Sequence, residues 1–216
     1  MDKNINIDHK LIEYIFSHTN NLHPIQEELL KYNENLGHIK RLQISILQAN
    51  FLQFLIKSNS FKSCLELGTF TGYSTLSMAL SLPKNGKIHT IDIDNSKNII
   101  AKGFFKKAKV LNKIKLEVSN GNDALIKLIK NKKKYDLILI DADKENYISY
   151  FDKSLKLLNK NGLLVVDNIL WKGQVINVNS KDKLTNKIKM FNLHVKKSKI
   201  NKYILPIGDG FYICWK

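Results

Sequence analysis

Residues 64–80 read CLELGTFTGYSTLSMAL, and this stretch decides the fold class. A short apolar run, Cys64-Leu65-Glu66-Leu67, passes through Gly68-Thr69-Phe70-Thr71-Gly72 into a segment with helical spacing from Tyr73 onward. Strand, glycine turn and helix follow directly on one another. The same alternation recurs downstream. Apolar runs at Lys87 to Ile91, Ile114 to Val118, Leu137 to Ile140 and Leu163 to Val166 alternate with helical patterns near 73–82, 95–110, 122–130 and 146–158. Strands separated by helices of this length imply right-handed βαβ crossovers and a parallel, doubly wound α/β sheet. After Trp171 one more helix is expected at about 181–194. Two last strands flank Pro206-Ile207-Gly208-Asp209-Gly210, a hairpin turn, so the sheet should end in an antiparallel pair.

Upstream, residues 1–58 read helical. Ile7, Leu11, Ile12, Ile15 and Phe16 keep helical spacing, a polar break with Pro24 precedes a second helix through Leu29, Leu30 and Leu36, and a third carries Ile44, Leu47, Phe51, Leu52 and Leu55. No repeat, linker or low-complexity tail interrupts the chain. The expectation is one domain over 1–216, a helical segment (1–58) before an α/β core (59–216).

A chain of 216 residues can bury most of its unfolded surface and needs no metal or disulfide staple to fold. Its 44% hydrophobic and 25% charged content exclude a disordered or collagen-like chain. Cys64 and Cys214 lack CxxC spacing and sit in apolar runs, which suits buried thiols in a reducing, cytoplasmic setting. The polar start, Met1 to Ile5, lacks a secretory core, and no run approaches the roughly 20 apolar residues of a membrane span. Thirty-five basic against nineteen acidic residues give +16, which raises nucleic acid as a partner. Yet Arg41 is the only arginine, and arginine is the usual reader of bases and phosphates. The lysines are spread along the chain and accompany many Asn and Ile, as A/T-rich codons would produce. Both readings stay open.

Ligands of doubly wound sheets bind beyond the carboxyl ends of the strands. Acids cluster there: Glu66 in the first strand, Asp92 ending the second, Asp141 after the fourth and Asp167 after the fifth. They are expected to line one cleft. Glu66-Leu67-Gly68 to Gly72 is an ExGxxxG spacing without the third glycine of a pyrophosphate loop, which disfavours a dinucleotide and suits a nucleoside without phosphates. Asp92 is placed to accept both hydroxyls of a ribose. Asp141-Ala142-Asp143-Lys144 and Asp167-Asn168 form a second group. If their strands pair, the strand ends lie about 5 Å apart, and two facing carboxylates need a cation between them. Two carboxylates and an amide oxygen suit Mg²⁺ and similar hard ions. Taken singly, Asp141 or Asn168 also reads as a helix cap, Asp143–Lys144 as a surface ion pair, Asp167 as a loop carboxylate and Asp209 as a turn residue. The joint arrangement favours the site.

CLELGTFTGYSTLSMAL, IHTIDID (88–94), YDLILIDADKENY (135–147), GLLVVDNILWKGQV (162–175) and LPIGDG (205–210), in this order and spacing, resemble the cation-dependent O-methyltransferases that use S-adenosylmethionine. This is the caffeoyl-CoA and catechol O-methyltransferase-like family in its small bacterial form. The resemblance covers roughly residues 40–215 and implies a Rossmann-like class I methyltransferase fold with a mostly parallel seven-stranded sheet. It implies that Glu66, Gly68, Thr69 and Ser74 hold the methionine end and ribose side of the cofactor. Asp92 would take the ribose hydroxyls, Ala124 would lie by the adenine, and Ile44 would offer backbone contacts. Asp141, Asp167 and Asn168 would bind Mg²⁺ (or Mn²⁺ or Ca²⁺), Asp141 also meeting the cofactor's amino group, and Lys144 would be the catalytic base. Tyr147 and Trp171 read either as walls of the acceptor pocket or as packing, and Asp209 as a further residue at that pocket. After Gln43-Ile44-Ser45 the chain has Ile46-Leu47-Gln48-Ala49 where the family has a Pro-Glu-Gln-Gly-like run.

The implied reaction is metal-assisted methylation of a vicinal-hydroxyl phenolic small molecule. Two alternatives stand beside it. One is a tRNA 5-hydroxyuridine acceptor, as in some bacterial members of the resembled family, with the lysines binding phosphates. The other is a non-catalytic cofactor-binding protein on the same fold. Family members often pair as homodimers. The six histidines show no metal spacing, and no Ser/His/Asp hydrolase arrangement is visible.

Overall fold

The computed structural model describes Ile5 and residues 7–216; apart from Ile5, the polar start read at Met1 to Ile5 lies outside the described residues. Among the described residues seven strands form one sheet: β1 (Ser63–Leu67), β2 (Lys87–Asp92), β3 (Ile114–Val118), β4 (Tyr135–Ile140), β5 (Leu158–Val166), β6 (Asn201–Leu205) and β7 (Phe211–Trp215), in the order β3-β2-β1-β4-β5-β7-β6. The first five are parallel, and β7 pairs antiparallel with both β5 and β6. The chain reverses its direction of winding between β1 and β4, so this is the switch point at which α/β sheets bind ligands.

Among the described residues eight helices surround the sheet: α1 (His9–Ser17), α2 (Pro24–Glu34), α3 (Ile46–Ser58), α4 (Tyr73–Ser81), α5 (Asn95–Lys107), α6 (Gly121–Lys130), α7 (Tyr147–Leu157) and α8 (Lys183–Lys197). Their starts have local causes. Ser45 caps α3 in a capping box with Gln48, Asp94 caps α5 by accepting from Ser96 and Lys97, and Asp182 caps α8. The buried side chains fall into two clusters. One holds Leu52, Ile56, Leu76 and Phe105; the other holds Leu125, Phe151 and Phe191. Strand residues alternate between them, Cys64 in the first and Leu65 in the second, as a period of two requires. Cys64 and Cys214 are buried free thiols, and burial pushes the Cys214 thiol up to about 12. Among the described residues no helix is long and apolar enough to cross a membrane.

Several boundaries differ from expectation, three of them with a plain local cause. The second helix ends at Glu34, before Leu36, because Gly37 turns left-handed (φ +61°) into a 3₁₀ segment at Gly37–Leu42. Ile44 precedes α3, since Ser45 is its cap. β5 begins at Leu158, five positions before the apolar run from Leu163, because its early part is the polar Asn159-Lys160-Asn161, with Asn161 left-handed at φ 64°.

Candidate active site

Register alone brings the polar strand ends together. Leu67 pairs with Ile91 and Ile140, and Ile140 pairs with Val166. The next residues, Gly68, Asp92, Asp141 and Asp167, therefore stand side by side at the carboxyl edge. Backbone bonds carry the ladder across that edge: Gly68 N–H to Ile91 O at 2.9 Å, Asp141 N–H to Leu67 O at 2.9 Å and Asp167 N–H to Ile140 O at 3.0 Å. Gly68 is required by this crowding. Its φ is +96°, and a Cβ there would stand 1.9 Å from the carbonyl oxygen of Asp141. The approach expected toward a ligand is, first of all, an approach to the neighbouring strand end.

A cleft of about 1330 Å³ opens over these ends. Ile44, Gly68, Thr69, Ser74 and Asp92 line one side of it. Asp92 is held by three backbone donors: Thr69 N–H (2.7 Å) and Phe70 N–H (2.9 Å) on Oδ2, and Asp94 N–H (2.9 Å) on Oδ1. The glycine turn and the carboxylate thus form one rigid unit.

Two residues expected at the cleft lie behind it. Glu66 is fully buried and not part of the lining; its Oε2 accepts from Thr90 at 2.6 Å and from Thr75, while its Oε1 has no partner among the described residues. Burial pushes this carboxyl up to about 7, although nearby Ser74, Thr75 and Thr90 hydroxyls pull it down. Strand alternation explains the placement: Leu65 and Leu67 occupy one face of β1, so Glu66 takes the other, under α4. Ala124 is also buried, packed with Leu67 and Ile91. The cleft wall at that end is Ser119, Asn120 and Gly121, because Ala124 sits one helical turn inside α6.

At the other end, Asp141, Asp167, Asn168 and Lys144 converge. The Lys144 ammonium donates to Asn168 Oδ1 at 2.6 Å, to Tyr147 Oη at 2.6 Å and to Asp141 Oδ1 at 3.2 Å. The chain thus supplies a positive charge of its own at Asp141. Asp167 is buried and its carboxyl is held well above the usual range, by burial first and then by the charge of Asp141. Among the described residues no three His, Cys, Asp or Glu side chains cluster as a metal site, so the candidate set is two carboxylates plus an amide.

Tyr147 does not wall the pocket. It is fully buried, its ring 4.8 Å from the Lys144 nitrogen, and its hydroxyl donates to the Asp167 carbonyl at 3.2 Å. As the first residue of α7 it points into the core and supports Lys144 from behind. Trp171 does line the cleft, in a left-handed run with Lys172 and Gly173 (φ 49°, 52° and 76°). Asp209 maintains that strained turn by accepting the Lys172 N–H at 2.5 Å. Arg41 also lines the cleft. Gln48 was not foreseen: its Nε2 donates to Asp167 Oδ1 at 2.6 Å.

A family model described as O-methyltransferase matches residues 16–216. The chain belongs to the O-methyltransferase family. This methyltransferase is 36% identical to tapetum-specific methyltransferase 1 of Arabidopsis thaliana over 181 residues, 81% of this chain and 77% of the relative. It is 34% identical to caffeoyl-CoA O-methyltransferase 5 of Nicotiana tabacum over 177 residues, 77% and 74% of the two chains. Among solved structures, an O-methyltransferase from Bacillus cereus in complex with SAH superimposes with a TM-score of 0.83 at 27% identity, covering 94% of this chain and 96% of that one. The protein is therefore an enzyme, an S-adenosylmethionine-dependent O-methyltransferase of the caffeoyl-CoA type family. The expected fold is the one observed, and the non-catalytic reading is set aside.

Proposed function

We propose that this methyltransferase transfers the methyl group of S-adenosylmethionine to one oxygen of a vicinal-hydroxyl, catechol-type small molecule, assisted by a divalent cation such as Mg²⁺. The observation that carries the reading is the meeting of Asp141 and Asn168 oxygens at the Lys144 nitrogen, with Asp167 at the adjoining strand end. Hard oxygen donors of this composition fit Mg²⁺. When bound, the cation would lower the pKa of the acceptor hydroxyl and orient the acceptor.

The chain's own residues do the rest. Asp92, braced by three N–H groups, receives the ribose, and Gly68 to Thr69 and Ser74 cradle the methionine end. Ile44 borders the same space. Glu66 acts from behind, fixing Thr75 and Thr90, and Ala124 fills the core under the adenine end. Lys144 Nζ donates to three acceptors, on Asp141, Tyr147 and Asn168. A base needs a free lone pair. Once Nζ has given a proton to solvent, its lone pair takes the proton of the acceptor hydroxyl, while Asp141 and Asn168 supply oxygens that would hold the cation. Trp171 and the Asp209-braced turn bound the acceptor, and Tyr147 keeps the Lys144 stem in place. Orientation supplies much of the acceleration in such a site.

A second reading has a specific observation behind it. Arg41, Lys97 and Lys172 line the cleft of a chain with +16 net charge, a setting that also suits a hydroxylated uridine in tRNA. One experiment separates the two: methyl transfer to catechol and to total tRNA, side by side, with EDTA and then with Mg²⁺ restored. Catechol methylation that EDTA abolishes and Mg²⁺ restores supports the first reading. Methylation of tRNA alone, with salt-sensitive binding, replaces it with the second.

A further inference from the structure

Gln48 has its amide orientation fixed from the sequence side. Its Oε1 accepts the Ser45 N–H at 2.9 Å, the return half of the capping box that starts α3. Nε2 must then face the other way, where it donates to Asp167 Oδ1 at 2.6 Å. Both side chains are buried. The Asn168 N–H donates to the same oxygen at 2.6 Å, so Oδ1 carries two donors and Oδ2 none among the described residues. The hairpin turn closes the amide in from the far side. A Cβ on Gly208 would stand 2.4 Å from Cδ and Oε1 of Gln48, so the glycine leaves the space the amide fills.

We propose that Gln48 is a positioning residue for the divalent cation, holding Asp167 so that Oδ2 is the oxygen presented to the metal; this rests on the cation reading above. Gln48 ties the start of α3 and the hairpin to one ligand, as outer hydrogen bonds commonly orient metal-bound carboxylates. Without the amide, the buried carboxylate keeps only the Asn168 N–H on Oδ1 and is held less firmly about χ2.

The test uses the full chain and two titrations: Mn²⁺ followed by electron paramagnetic resonance, and S-adenosylhomocysteine followed by calorimetry. Gln48→Leu keeps size and loses the donor. It is expected to weaken Mn²⁺ binding about 10- to 100-fold while leaving the S-adenosylhomocysteine affinity in place. Gly208→Ala displaces the same amide without removing it and should weaken Mn²⁺ in the same direction, which keeps the test open if the leucine variant does not fold. Equal loss of both affinities would assign Gln48 to general folding and overturn the role. Wild-type protein that binds no Mn²⁺ would overturn the cation reading itself. Wild-type binding matched by both variants would overturn the role of Gln48 alone.

Discussion

The Nζ of Lys144 lies 2.6 Å from Oδ1 of Asn168, so the proposed base occupies the oxygens proposed to hold the metal. On the proposed reading base and cation compete for one set of acceptors, and metal loading and release of the lysine are one linked event.

Replacing Lys144 separates the two roles. Lys144→Ala should lower kcat about 10²- to 10⁴-fold, the usual contribution of a positioned general base, with little change in S-adenosylhomocysteine affinity. Divalent-ion affinity in the absence of acceptor should rise, because a competing ammonium is gone. Normal turnover in this variant would remove the assigned role; steady-state kinetics and Mn²⁺ titration read both outcomes.

Glu66 should make the protein less stable as pH rises. Its folded carboxyl sits at about 7 against a usual 4.5, so the folded state holds the proton that the unfolded chain releases. Stability is then lost between about pH 4.5 and 7, on the order of 3 kcal/mol by linkage. Glu66→Gln is expected to melt higher than wild type at pH 8, with the difference shrinking below pH 5. A constant difference across that range would contradict the assignment.

His89 gives the opposite slope. The side chain is buried on β2 among Glu117 at 3.0 Å, Tyr135 at 3.3 Å, Lys115 and Lys127, and burial with the Lys115 charge holds the imidazole below its usual 6.5 against the pull of Glu117. The unfolded chain binds the proton first, so stability falls as pH drops below about 6.5. In His89→Gln this fall should be shallower. Thermal melts of both proteins from pH 7.5 to 5 check it, and parallel curves would exclude it.

Gly68→Ala should damage both fold and site. The added Cβ meets a backbone carbonyl that cannot swing aside, and φ +96° is strained for any side chain. We expect a loss of at least about 2 kcal/mol in urea unfolding, with cofactor binding impaired in whatever protein folds. Wild-type stability in the alanine variant would show that the strand ends tolerate separation.

Much of this was legible in the sequence because acids at strand ends are a one-dimensional signal: once the strands are parallel, register alone aligns Asp92, Asp141 and Asp167. Glu66 was less legible. Its position in β1 is plain, but which face of the sheet it takes depends on α4 supplying Thr75 and β2 supplying Thr90. Tyr147 lies three residues after Lys144, a spacing that places the ring against the lysine but leaves open whether it faces solvent or core. Gln48 is readable as the closing residue of a Ser-x-x-Gln capping box, yet nothing local announces that its other end reaches Asp167, 119 positions away. The polar opening of β5 hides a strand because its residues bury little and carry no apolar pattern.

The most direct measurement is the anomalous scattering of crystals grown with Mn²⁺, S-adenosylhomocysteine and catechol. We predict one peak among Asp141, Asp167 and Asn168, with the Lys144 amine displaced from Asn168 toward a catechol oxygen. No peak at those side chains, with Lys144 still bonded to Asn168 and catechol bound elsewhere, would contradict the account.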